Sequence, residues 1–143
     1  MEIDNEEKKN YLKQYQKKVM AVKDIELEIE ALREEKMSAS AGTGNGMPRS
    51  SSITDMSNYI VALEEKEQML IKARYQRVKC YTCIYRNIED LENEDEKRIL
   101  YLKYIRGFKW ERVCIESGYE WTWVHTLHRR ALEHITICKR FKE

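Results

Sequence analysis

The stretch KRILYLKYIRGFKWERVCIESGYEWTWVHTLHRRAL, residues 97–132, decides the fold of this chain. Its two glycines stop helices, and they divide the C-terminal part into three short helices predicted at 91–106, about 109–117 and about 121–140. Gly118 suits the left-handed conformation that ends a helix in a tight turn. Tyr119 can then return to the core before the next helix begins. The stretch therefore predicts a helix, a short turn and a second helix.

A helix that reads duplex DNA needs apolar side chains facing its own domain and polar, aromatic or basic ones facing the groove. The last predicted helix has this division, and its inward residues are Val124, Leu127, Ala131 and Leu132. We expect Trp110 and Trp123 to be core residues as well. The predicted DNA-binding side chains on the recognition helix and the support helix before it are Lys109, Arg112, Trp121, Thr122, His125, Thr126, Arg129 and Arg130.

By position, the same stretch resembles the promoter-reading fourth region of bacterial sigma factors. The matching positions are Leu100, Leu102, Tyr104 and Ile105 in the first core helix; Phe108, Trp110, Glu111, Val113 and Cys114 in the support helix; and Gly118, Tyr119, Val124, Ala131 and Leu132 in the turn and recognition helix. Glu120 stands at the N-cap position, where that family usually has Ser or Thr. More closely, the string Val124, Leu127, His128, Arg130, Ala131, Leu132, placed behind a helical hairpin, is similar to phage- and prophage-encoded regulators of the ArpU and RinA type.

The N-terminal part predicts two long amphipathic helices. Apolar residues recur at steps of three and four from about Asn5 to Met37 and again from Ile53 to Ile88. Between them, residues 38–52 hold three of the five Gly and the only Pro, which indicates a linker. The economical arrangement is a long antiparallel coiled-coil hairpin over residues 1–90, followed by the helix-turn-helix domain over 91–143. Self-association through the same stripes, giving a homodimer, is the alternative.

Composition supports an all-α protein and excludes other classes. The chain has 143 residues, of which 42% are hydrophobic and 36% charged, with low Gly and Pro. No stretch is apolar enough to span a membrane, and the charged N-terminus lacks the apolar core of a signal peptide. We therefore expect a cytoplasmic protein. The net charge of +1 indicates no partner by itself, although basic residues gather near the C-terminus.

Cysteine and histidine spacing permits a metal site without requiring one. A tetrahedral zinc set can be drawn from Cys80, Cys83, His134 and Cys138, but neither pair has the knuckle turn typical of zinc ligands, so we expect no metal and no cofactor. Cys114 is most simply a small core residue. His125 and His128 are three residues apart with no nucleophile or paired carboxylates in the sequence nearby. The sequence therefore does not predict an enzyme.

The resemblance implies a sequence-specific DNA-binding regulator of phage or prophage genes in a bacterial host cell. Its partners would be double-stranded DNA and, as for a sigma fourth region, host RNA polymerase. The alternative is a non-enzymatic interaction protein, such as an RNA polymerase adaptor or a packaging-terminase small subunit, whose helix-turn-helix binds protein. Exposed Trp121 and Trp123 would favour that alternative.

Overall fold

The computed structural model describes residues 3–41 and 49–137, and describes side chains for residues 3–36 and 55–137. The elements are α1 (Asn5–Ala41), α2 (Arg49–Glu89), α3 (Glu94–Leu100) with a π-helical turn (Tyr101–Ile105), α4 (Trp110–Ser117) and α5 (Trp121–His134). No strand occurs in these ranges, and the all-α class is confirmed. None of the helices in the described part of the chain is both long enough and apolar enough to cross a bilayer.

Several helix ends differ from the expected ones. Residues 38–41 and 49–52, expected in the linker, continue α1 and α2, while residues 42–48 lie outside the described part. The last helix ends at His134 instead of continuing to about 140, and Ile135 is extended. Ile135 is buried, and residues 135–137 are all β-branched, which disfavours another helical turn. Helix α3 begins at Glu94 because the Asn93 side chain accepts hydrogen bonds from the backbone N–H groups of Asp95 and Glu96.

The chain forms two compact units, of which one is Met20–Gln76. In this unit α1 and α2 lie side by side and antiparallel, since Glu26 pairs with Arg74 whereas Arg33, later on α1, pairs with Glu67, earlier on α2. Buried Val22 and Ile29 lie on α1. The ion pairs are Glu26 with Arg74 (3.3 Å), Glu28 with Lys66 (2.6 Å) and Arg33 with Glu67 (3.7 Å). Exposed pairs of this kind contribute little stability, so the apolar side chains hold the helices together.

The other unit combines Met1–Val19 with Arg77–Glu143. Its largest core joins Leu12 of α1 and Ile84 and Ile88 of α2 to residues of α3, the π turn and α5. Within this core the Asn87 amide donates to the Tyr11 hydroxyl at 2.6 Å. This division differs from the domain boundary expected at residues 90 and 91. The three short helices do not bury their apolar faces on one another alone, because the start of α1 and the end of α2 complete their core.

A second core cluster in this unit holds α3, α4 and α5 together. Ile99, Val113, Val124 and Leu127 are at most 1% exposed. Phe108, Trp110 and Tyr119 pack against them, as does Cys114, in agreement with its expected place as a small core residue. The cluster therefore sets the orientation of α5 relative to α4.

The π turn ends the first of these helices. The Arg106 N–H donates to the Tyr101 carbonyl at 3.0 Å, and Gly107 follows with φ +71°. The last carbonyl groups of a helix have no N–H partner within the helix. The side-chain amide of Gln16 donates to two of them, those of Tyr104 (3.1 Å) and Ile105 (2.9 Å). A residue of α1 thus stabilises the chain where it turns from the π segment towards α4.

Candidate nucleic-acid interface

The candidate site is the pair of helices α4 and α5 with the turn between them. Gly118 ends α4 at φ +76° and its N–H donates to the Cys114 carbonyl at 2.9 Å, which confirms the left-handed helix end predicted from the sequence. Three residues separate the helices. Glu120 is the N-cap of α5 and its side chain makes no capping hydrogen bond, so its carboxylate remains exposed at the start of α5. The arrangement is helix, tight turn, helix.

Helix α5 has one buried face, as expected. Val124, Leu127, Ala131 and Leu132 are at most 2% exposed, and His128 is buried beside them. Most of the predicted contact residues lie on the other side: Trp121, Thr122, Arg129 and Arg130 are exposed. Helix α5 therefore presents polar, aromatic and basic side chains outward while its apolar face is fixed in the unit.

Trp123 is not in the core, contrary to the sequence-based expectation. Its side chain is 40% exposed, and the Arg130 guanidinium lies 5.3 Å from its ring centroid. The reason is geometric, because successive residues on a helix are about 100° apart and Val124 already occupies the inward position. Trp110, the other tryptophan expected in the core, is half-buried against the second core cluster.

His125 is enclosed by aromatic rings and does not stand free on the outer face. Its ring centroid lies 4.6 Å from that of Trp110 and 4.5 Å from that of Trp121. Its Nε2 atom is buried and has no hydrogen-bond partner within the described residues. The Thr126 hydroxyl is similarly occupied, since it donates to the Thr122 carbonyl at 2.9 Å. Both side chains were predicted contacts, and this geometry holds them against the helix or its neighbours.

Four basic side chains surround the start of α4. Lys109 is exposed and precedes the helix, and the Arg106 and Arg112 guanidinium groups lie 5.2 Å and 4.0 Å from the Phe108 ring centroid. Lys103 lies over the Trp110 ring at 4.7 Å. Burial, followed by the nearby charge of Lys13, lowers the pKa of Lys103. The sequence-based prediction includes Lys109 and Arg112 but not Lys103 and Arg106, although the four recur every third residue.

A buried polar pair joins α5 to the π turn. The Tyr104 hydroxyl and Nε2 of His128 lie 2.7 Å apart and share a hydrogen bond. Burial lowers the pKa of His128 to about 4, with a smaller contribution from Lys9, so the imidazole is neutral at pH 7. Burial also raises the pKa of Tyr104. The pair is therefore a neutral structural contact in which each polar group satisfies the other.

The zinc set considered from the sequence, Cys80, Cys83, His134 and Cys138, does not come together in the described part of the chain. Cys80 is buried on α2 with Cys83 half-buried beside it, and burial raises the pKa of the Cys80 thiol. The His134 Nδ1 lies 3.0 Å from an oxygen of buried Glu96. Within residues 3–41 and 49–137, no three His, Cys, Asp or Glu side chains form a group that could hold a metal ion. Cys138 lies outside these ranges.

No protein-family model, curated protein or solved structure matches this chain.

Proposed function

We propose that this chain is a sequence-specific DNA-binding regulator that places α5 in the major groove. The observation that carries the proposal is the division of α5 after the Gly118 turn: four apolar residues are buried, while Trp121, Thr122, Arg129 and Arg130 face outward. This is what a recognition helix requires, because its inner face must be fixed by the domain while its outer face meets base edges.

Basic side chains on two sides of the turn support the same proposal. Lys109 at the N-cap of α4 and Arg112 within it, together with Arg129 and Arg130 on α5, would meet phosphate groups on either side of the groove. Arg129 and Lys109 are the strongest candidates, since both are exposed and neither forms an ion pair with another described residue. Arg112 lies 3.6 Å from Glu116, so DNA would compete with that carboxylate.

The finer identity rests on the sequence resemblance. We infer a domain similar to the fourth region of sigma factors, attached to a coiled-coil hairpin formed by α1 and α2, in a regulator of phage or prophage genes. Contact with host RNA polymerase is part of this proposal, and such a chain would act in the bacterial cytoplasm. The antiparallel pairing of α1 and α2 in the unit Met20–Gln76 is what a hairpin needs.

The test is selection of bound sequences from random duplex DNA, followed by affinity measurements at several salt concentrations. Because each neutralised phosphate releases counterions, Arg129→Ala should reduce the slope of log K against log salt by about 1 and weaken binding. The matched control is Arg86→Ala, which removes an exposed arginine from α2 and should change nothing. Failure to enrich any motif, or equal effects of both variants, would contradict the proposal.

The second candidate is a protein-binding helix-turn-helix, and one observation favours it. Trp121 is 51% exposed, Trp123 40% and Ile115 of α4 78%, which is more apolar surface than a DNA-reading helix needs. Docking of these side chains into a protein pocket would depend little on salt. Binding to purified RNA polymerase that is lost in Trp121→Ala but unchanged by added salt, with no DNA motif selected, would establish this function instead.

A further inference from the structure

The outer face of α2 in the unit Met20–Gln76 carries a set of side chains that α1 does not use. We define the outer face as five exposed residues: Val61, Glu64, Gln68, Lys72 and Tyr75. Val61 is 51% exposed and Tyr75 64%. The ion pairs to α1 are made by other residues of α2, namely Lys66, Glu67 and Arg74. The outer face is therefore free for another partner.

The spacing of the outer face is symmetric about Gln68. The five residues are separated by steps of three, four, four and three. At about 100° per residue they fall within a band of about 80° on the helix surface, so they form one stripe. The residue types are also arranged symmetrically, with an apolar side chain at each end and one charge of each sign inside them.

We propose that the outer face binds the same face of a second copy of this chain. Consider an antiparallel pair of α2 helices related by a two-fold axis at Gln68. Each residue then meets the residue of the second copy that lies equally many positions from Gln68 in the opposite direction along the sequence. Val61 then packs on Tyr75 of the second copy, and Glu64 pairs with its Lys72. A two-fold axis repeats every such contact, so two apolar contacts and two ion pairs form.

Charge complementarity identifies a second copy as the occupant. Glu64 and Lys72 form no ion pair with another described residue, and at eight residues apart they cannot reach each other on one helix. An acidic partner would be repelled by Glu64 and a basic one by Lys72. Two copies in antiparallel register pair both charges. Ile71, which is 60% exposed, adds apolar surface at the edge of the stripe.

The size of the contact sets the expected strength. From Val61 to Tyr75 the helix advances about 21 Å, which is short for a protein interface. The dimer should therefore be weak and concentration-dependent, with dissociation in the micromolar range or above. This proposal concerns α2 alone and is measured without DNA, so its failure and the failure of the proposed DNA-binding function are separate results.

The experiment is sedimentation equilibrium of the full chain over a concentration series, with charge reversals on the outer face. Lys72→Glu places two carboxylates opposite each other at both ends of the contact, and Glu64→Lys places two ammonium groups there. Each should raise the dimer dissociation constant roughly tenfold. The double variant, Glu64→Lys with Lys72→Glu, restores opposite charges and should return the constant to near the wild-type value.

The matched control is Lys23→Glu, the same charge change at an exposed site of α1 in the same unit. It should leave the dissociation constant unchanged, and circular dichroism should show equal helicity in all variants, because every substituted side chain is exposed. Any of three results would overturn the proposal. The chain could be monomeric at every concentration, or the single charge reversals could leave the dimer dissociation constant unchanged. The double variant could also dimerise as weakly as the two single effects combined would give. Each of these outcomes is visible in the same sedimentation data.

Discussion

His128 shows how a single buried residue ties this fold to pH. It lies on the inner face of α5, where its Nε2 shares a hydrogen bond with the Tyr104 hydroxyl. Its ring centroid lies 4.7 Å from that of Trp110, with the two rings inclined at 72°. Burial has the largest effect on the pKa of His128, and the positive charges of Lys9, Lys103 and Lys13 and the neighbouring His125 lower it further. Protonation of this imidazole therefore opposes folding.

We predict that the chain loses stability as the pH falls below about 6.5. The pKa of His128 is about 4 in the folded chain and 6.5 for an ordinary histidine, so between these values the unfolded state binds more protons. The free energy of unfolding should therefore decrease as the pH is lowered through this window. The loss should reach about 3 kcal/mol at pH 4. The measurement is urea unfolding from pH 7.5 to 4 for the wild type and His128→Gln.

The glutamine variant separates this effect from other titrating groups. Its amide can still hydrogen-bond to Tyr104 but cannot titrate, so the stability of the variant should depend less on pH. At pH 7 the variant should be less stable than the wild type. Equal pH dependence in the two proteins would mean that His128 is not the responsible group. The remaining ionisable groups are the same in the two proteins. The difference between their curves of unfolding free energy against pH therefore reports His128.

At the scale of the helices, the two glycines that end them do so in different surroundings. Both have positive φ, +71° at Gly107 and +76° at Gly118. A Cβ at Gly118 would have no atom within 4 Å, whereas a Cβ at Gly107 would lie 2.8 Å from Cδ and Oε1 of Gln16. The Gln16 amide cannot move aside freely, because it donates to two carbonyl groups of the π turn.

We therefore predict that Gly107→Ala destabilises the chain more than Gly118→Ala. The Gly118 variant should cost about 1 kcal/mol, the strain of a left-handed alanine. The Gly107 variant should cost about 2–3 kcal/mol, because it adds the loss of the Gln16 hydrogen bonds. Urea unfolding measures both, and in a Gln16→Ala background the cost of Gly107→Ala should fall to the Gly118 value. Equal costs in the original background would contradict the role given to Gln16.

The elements also show where periodicity predicts well and where it does not. The apolar positions of α5 indicated its inward face, and these residues are buried. The same pattern did not predict the end of α5 at His134, since that end depends on Ile135 entering the core. Nor did it predict that His125 is enclosed between Trp110 and Trp121, because Trp110 belongs to another helix.

At the scale of the whole chain, the unit that holds the candidate site is built from sequence-distant parts. Lys8 of α1 donates through Nζ to the Leu132 carbonyl at 2.7 Å, near the end of α5. Leu12, Ile84 and Ile88 are at most 1% exposed within its core. This unit therefore needs residues from both long helices.

We predict that residues 91–143 alone do not fold cooperatively. Removing the first 90 residues takes away Tyr11, Leu12, Cys80, Ile84 and Ile88, and so exposes the apolar side chains of α3 and α5 that they cover. The measurement is thermal unfolding followed by circular dichroism, in which the fragment should show low helicity and no sharp transition. The full chain is the control, and a fragment with the same transition would show that the long helices are dispensable for this unit.

The sequence by itself determined the all-α class, the left-handed turn at Gly118 and the buried face of α5. These follow from local rules, because helix-stopping residues and apolar spacing act within a few residues of the chain. Only the tertiary structure decided that the start of α1 and the end of α2 complete the core around α3–α5, that Trp123 is exposed and that Gln16 stabilises the π turn. Periodicity shows that a helix has an apolar face, but the residues that cover this face come from parts of the chain as distant as Leu12 and Leu132.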